Sequence, residues 1–121
     1  MARILDFPRR GDVYLADFDP TVGSEIRKTR PALIVQNDIA NEYSPITIVA
    51  AITSKVDTTI RPTEALIEEH EGGLTKRSVV LLNQIRSFDR TRLIKRLGRV
   101  SPETLRRVDV CLGRSLGLRE T

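Results

Sequence analysis

The segment Gly23-Ser24-Glu25-Ile26-Arg27-Lys28-Thr29-Arg30 sets three cations and one carboxylate directly ahead of an apolar run. Two further apolar runs stop in polar groups, Thr53-Ser54-Lys55 after one and Asn83-Gln84-Ile85-Arg86-Ser87 after another. A buried strand needs no arginine at its end for packing. A guanidinium grips phosphate oxygens in a two-pronged fork, and hydroxyls and amides add neutral donors. Gathered on one side of a sheet, such ends would form a basic depression suited to a phosphodiester backbone. Each residue alone reads more simply as a polar strand terminus; their conjunction is what points to chemistry.

Other chemistries find little support. The sequence has no Walker loop, no GxGxxG, no GxSxG and no Asp/Glu cluster at metal-ligand spacing. His70 stands among Glu68, Glu69 and Glu71 beside a glycine turn, which reads as a solvated loop residue. Cys111 sits among apolar neighbours with no second histidine to activate it, so it reads as a small core residue. One cysteine and one histidine exclude a disulfide scaffold and a zinc site. No metal and no cofactor are expected.

The chain that must position these groups has 121 residues, room for a single domain over 1–121. It is 40% hydrophobic and 30% charged, enough apolar material for a core. No stretch approaches the roughly 20 apolar residues of a membrane span. The N-terminus MARILDFPRRGD lacks the apolar stretch of a secretion signal, so a cytoplasmic address is expected. The net charge of +4 is unevenly spread. Residues 1–85 hold ten Lys/Arg against twelve Asp/Glu, whereas 86–121 hold ten against four. A basic final third fits an anionic partner, and equally an arginine-rich solvated helix face.

The pattern predicts a β-rich α+β domain. Residues 12–18 alternate with apolar groups on both faces and stop at Asp19-Pro20; residues 21–30 read as a loop. Residues 31–36 and 46–52 are near-continuous apolar runs rich in β-branched side chains, expected as central strands. Between them Asp38 is placed to cap one helical turn ended by Pro45. Residues 64–67 and 78–85 predict two more strands, the second reached through Gly72-Gly73. Residues 93–100 fit a strand about as well as a helical turn. Ser101 as cap, Pro102 behind it and Glu103 in the first turn begin a helix. Leu105, Val108, Leu112 and Leu116 then make its apolar stripe.

The run Arg10-Gly11-Asp12-Val13-Tyr14, then Gly23-Ser24-Glu25, Arg30-Pro31, Val35-Gln36-Asn37-Asp38, Ala51-Ile52-Thr53, Leu82, Gln84-Ile85-Arg86 and Leu97 resembles the MazF/PemK family of bacterial toxins. The likeness spans about residues 9–118. It implies a small SH3-like antiparallel barrel, partly open and shared with the CcdB toxins, carrying a C-terminal helix. It further implies a homodimer acting as a sequence-specific endoribonuclease, an mRNA interferase, on single-stranded RNA. Its partner would be an acidic, partly disordered antitoxin, with DNA contacted through the toxin–antitoxin complex. The family's catalytic arginine falls on Arg30 and its threonine on Thr53, with Glu25 as a third candidate. Ser24, Arg27, Lys28, Ser54, Gln84 and Arg86 fall where the RNA groove is expected. Many members have a glycine-rich segment after the GSE, whereas this chain has Ile26-Arg27-Lys28-Thr29, which adds charge and stiffness.

That activity is chemically consistent with these residues. RNA brings its own nucleophile, the 2′-OH, so the protein needs no metal, serine or cysteine. A fixed guanidinium stabilises charge building on the phosphorane, and a threonine hydroxyl donates to a phosphate oxygen or holds the 2′-OH. Glu25 is one candidate base, though a carboxylate among arginines is a weak one, and the proton acceptor stays open. A different reading on the same fold is a CcdB-like gyrase poison, which has no chemical need for Arg30 and Thr53. A plain nucleic-acid-binding module or a peptide-binding SH3 domain fits poorly with 4% aromatics and no tryptophan.

Overall fold

A computed structural model describes residues 6–25 and 28–119. The strands are β1 (Asp12–Asp17), β2 (Thr29–Ile34), β3 (Ile46–Thr53), β4 (Glu64–Ile67), β5 (Ser78–Asp89) and β6 (Leu93–Arg99). The helices are α1 (Asp38–Tyr43), between β2 and β3, and α2 (Pro102–Ser115), after β6. All six strands form one antiparallel sheet in the order β4-β5-β3-β2-β1-β6. The expected α+β class and C-terminal helix are present. The sheet is not closed into a barrel, because β4 and β6 are its two edges.

Two apolar clusters lie on the two faces, as the double-sided burial of β2 and β3 requires. On one face Leu33, Ala50, Ile52, Val80 and Leu82 pack beneath Val108 and Cys111 of α2. On the other, Ala32, Ile34, Val49 and Ala51 pack with Phe18, Val79 and Phe88. The sheet curls over this second cluster far enough that the Phe18 and Phe88 rings meet edge-to-face at 5.0 Å. Burying two such rings contributes about 1.5–3 kcal/mol each.

β5 is longer than the sequence pattern implies. Its register against β3 jumps from Ala51↔Leu81 to Ala50↔Ile85, so Leu82, Asn83 and Gln84 are extra residues on the β5 side. Such a bulge bends the strand and re-aims its side chains. The polar pair Asn83-Gln84 therefore marks the middle of a strand and not its end. Arg30 likewise is the second residue of β2 and not the last of the loop.

Helix starts follow their capping chemistry. The Ser101 side chain accepts from the Thr104 N–H at 3.1 Å, with Pro102 and Glu103 in the first turn. In α1 the cap is Asn37, accepting from Ala40 N–H at 2.8 Å, in place of the expected Asp38. Asp38 instead accepts from the Arg10 N–H at 2.6 Å. The apolar stripe of α2 ends at Leu112, because Leu116 lies past the last turn and is 53% exposed.

Two contacts finish the sheet. Gly98 of β6 meets the 3₁₀ turn Glu71–Gly73 so closely that a Cβ there would lie 2.6 Å from the Gly72 carbonyl carbon. The edge strand β4 is covered by α2, whose Arg107, Cys111 and Arg114 donate to the carbonyls of Leu66, Glu64 and Pro62 at 3.2, 3.4 and 3.2 Å. Those spacings of four and three residues put all three donors on one helix face. An edge capped this way cannot template another strand on that side.

Candidate functional site

The site is built where β1 and β3 end and β2 begins. β2 and β3 pair at Ala32↔Ala51, Leu33↔Ala50 and Ile34↔Val49. The pairing stops at Ala32↔Ala51, and two residues beyond it on each strand stand Arg30 of β2 and Thr53 of β3, at the same end of the sheet. By the alternation of strand side chains both belong to the face of Ala32 and Ala51, at the rim of the cluster around Phe18 and Phe88. The Thr53 hydroxyl oxygen accepts from the Lys55 N–H at 3.2 Å, which leaves the hydroxyl proton to donate outward.

Arg30 also lines a hollow of about 160 Å³ with Pro31, Ile52, Ser54, Leu74, Thr75, Lys76 and Ser78. Ser54, one residue beyond Thr53, falls on the opposite side of the strand end. The two residues therefore serve different sides of Arg30.

A second hollow, of about 110 Å³, is lined by Phe18, Glu25, Asn83, Gln84, Ile85 and Arg86. The bulge in β5 is what turns Asn83 and Gln84 into it. Glu25 arrives from the loop between β1 and β2, where its carboxylate accepts from the Val22 N–H at 2.6 Å. Ser24 is exposed beside it, after Gly23 at φ +61°. Lys28 adopts a left-handed backbone, φ 65°, held from both sides. Its N–H donates to Asp19 Oδ1 and its carbonyl accepts from the Phe18 N–H, each at 2.9 Å. Arg27 lies outside the described residues.

Arg86 crosses from β5 to donate to the Phe18 carbonyl at 2.7 Å, its guanidinium 5.0 Å from the centre of the Phe88 ring. Arg92 lies 5.3 Å from the same ring and donates to the carbonyls of Asp17 and Asp19 at 3.1 and 2.8 Å. Both cations therefore fix the stem from which the loop carrying Ser24 and Glu25 springs. Sequence reasoning missed Arg92 and Lys76, and placed Asn83 at a strand end where the structure has it in the bulge. A polar pair inside an apolar run was the available signal for the bulge, whereas nothing local marks Arg92 or Lys76.

The residues set aside at the start stay outside the site. His70 is exposed. Cys111 is buried, and burial pushes its thiol pKa up against the opposing pull of Arg114. No group of three His, Cys, Asp or Glu among the described residues is arranged to hold a metal. No helix among them is long and apolar enough to cross a membrane. A hollow of about 1070 Å³ between β4 and α2 is lined by none of the candidate residues.

Comparison with known proteins identifies the family. The sequence model of the family described as PemK-like, MazF-like toxin of type II toxin-antitoxin system matches residues 9–116. The chain is 47% identical over 110 residues to a protein named endoribonuclease MazF from Staphylococcus saprophyticus, covering 91% of this chain and 92% of that one. Its fold is similar to that of MazF from Deinococcus radiodurans, with a TM-score of 0.79 and 28% identity over 92% of this chain and 97% of that one. It is also similar to an endoribonuclease from a mycobacterial species solved in complex with its cognate antitoxin, with a TM-score of 0.77 and 26% identity over 93% and 97% of the two chains. With the family model matching residues 9–116 and a relative 47% identical over nearly the whole chain, the chain belongs to the PemK-like, MazF-like toxins of type II toxin–antitoxin systems.

Proposed function

We propose that this toxin is an endoribonuclease that cuts single-stranded RNA at specific sequences without a metal ion. The reading is supported by the β2–β3 register, which ends two residues short of Arg30 and Thr53 and so leaves both at one rim of the sheet. In the proposed reaction the 2′-OH gives up its proton and its oxygen bonds to the adjacent phosphorus. The bond from phosphorus to the 5′-oxygen then breaks, and that oxygen takes up a proton. The products are a 2′,3′-cyclic phosphate and a 5′-OH end.

Arg30 stabilises the charge that builds on the phosphoryl oxygens, and Thr53 donates to one of them or holds the 2′-OH. Glu25 is the candidate proton acceptor. Gln84 and Asn83, turned outward by the bulge, supply amide donors and acceptors of the kind that read base edges in unstacked RNA. Ser24, Arg27, Lys28, Ser54 and Arg86 complete the proposed RNA-binding set. An acidic antitoxin segment lying on this basic rim would exclude RNA, and a second copy of the chain would extend the groove.

The test is cleavage of a long single-stranded RNA in EDTA. The wild type should cut it, and Arg30→Ala should lose about 10²–10³ in rate while keeping its circular dichroism spectrum. Intact RNA together with inhibited gyrase supercoiling would replace this reading with that of a gyrase poison.

A further inference from the structure

The hollow beside Arg30 has a composition that the cleavage chemistry does not use. Its described lining brings together two cations, Arg30 and Lys76, and three hydroxyls, Ser54, Thr75 and Ser78, with no carboxylate. Pro31, Ile52 and Leu74 make up the rest, as low-dielectric walls that strengthen attraction for an anion. At about 160 Å³ the hollow holds the room of roughly five waters, which suits a phosphodiester group and is small for a base.

The loop that delivers Lys76 is fixed. Ser78 donates its hydroxyl to the Lys76 carbonyl at 2.9 Å, and Leu74 upstream is buried. The next residue, Arg77, is engaged elsewhere, its Nε 3.8 Å from the Glu68 carboxylate. Two adjacent cations thus have different surroundings: Arg77 is paired with a carboxylate, and Lys76 lines the hollow with Arg30.

We propose that Lys76, with the Thr75 and Ser54 hydroxyls, forms a subsite for a second backbone phosphate of the RNA, next to the one held between Arg30 and Thr53. This rests on the endoribonuclease reading, and makes Lys76 a positioning residue that contributes affinity and register without touching the reacting atoms. A phosphate captured on each side of Arg30 would fix the strand in line across the strand ends.

The test measures binding, so it does not depend on turnover. A 2′-O-methyl single-stranded oligonucleotide of mixed sequence, which lacks the nucleophile, is titrated by fluorescence anisotropy at several salt concentrations. Each phosphate contact on a single strand contributes about 0.7 to the slope of log affinity against log salt. Lys76→Ala should lower that slope by about 0.7, Lys76→Arg should restore it, and Arg77→Ala should leave it unchanged. A slope unchanged in Lys76→Ala, or lowered equally in Arg77→Ala, would overturn the subsite. Failure of the wild type to cut RNA would instead overturn the endoribonuclease reading, with the binding result standing separately.

Discussion

The Arg86 guanidinium donates to the Phe18 carbonyl at 2.7 Å, tying β5 to the end of β1 across the two strands that separate them in the sheet. With the Phe18–Phe88 ring contact beneath it, this one hydrogen bond does for the curled sheet what backbone pairing does in a closed barrel. It also holds the point where the loop bearing Ser24 and Glu25 leaves the sheet. Arg86→Ala should therefore destabilise the fold by about 1.5–3 kcal/mol, the range for a hydrogen bond to a charged group. Urea unfolding measures this, and a loss below about 0.5 kcal/mol would contradict it.

Arg30 and Thr53 separate charge from geometry. Arg30→Lys keeps the positive charge but loses the planar fork, and should lower kcat at least about 10-fold. Thr53→Val keeps the shape and removes the donor, and should lower kcat by about 10²-fold. Single-turnover cleavage reads both variants, and unchanged thermal unfolding excludes a folding defect.

Glu71 links the 3₁₀ turn to the start of α2, its carboxylate accepting from the Ser101 N–H at 3.0 Å. Partial burial acts to raise its pKa. Hydrogen bonds from Thr104 and Ser101, with Arg107 nearby, outweigh that and hold it below its ordinary 4.5. A carboxylate depressed in the folded state stabilises fully above its unfolded pKa and loses that contribution as pH falls through the folded value. Glu71→Gln should cost about 1 kcal/mol at pH 7. The difference from wild type should shrink below pH 4.5. Unfolding free energies from pH 3 to 7 check the trend.

Gly98 and the Gly72-Gly73 turn touch backbone to backbone. A methyl at Gly98 would lie 2.7 Å from the Gly73 nitrogen and 2.8 Å from the Gly72 oxygen, so β6 and the turn must part. Gly98→Ala should cost about 1–3 kcal/mol, as overpacking does. Gly23→Ala, in open space but at φ +61°, should cost less. Melting temperatures of the two variants order the effects.

Much of this was legible in the chain, and the failures are physically informative. The strands centred on Leu33, Val49 and Val80 announced themselves because both faces are buried, and Ser101-Pro102-Glu103 fixed the start of α2 because capping is local chemistry. The strand β6 was ambiguous because its outer positions, Ile94, Lys95 and Arg96, face solvent and so lack a clean alternation. The bulge at Leu82–Gln84 hid because periodicity cannot show three residues abandoning a register. Arg30, Thr53 and Gln84 stood out only as polar residues at the margins of apolar runs. That Arg30 and Thr53 lie at the same end of neighbouring strands is a consequence of strand order, which no local pattern encodes. Lys76 and Arg92 were invisible for the same reason, since each meets its neighbours only through tertiary contacts.

The internal nucleophile is the step on which the mechanism turns. An RNA oligonucleotide carrying one deoxynucleotide immediately 5′ of the cleaved bond removes a single oxygen and leaves every phosphate in place. Cleavage of that bond should vanish in EDTA while the all-ribose strand is cut to a 2′,3′-cyclic phosphate end. Undiminished cutting of the deoxy-substituted strand at the same bond would contradict the account.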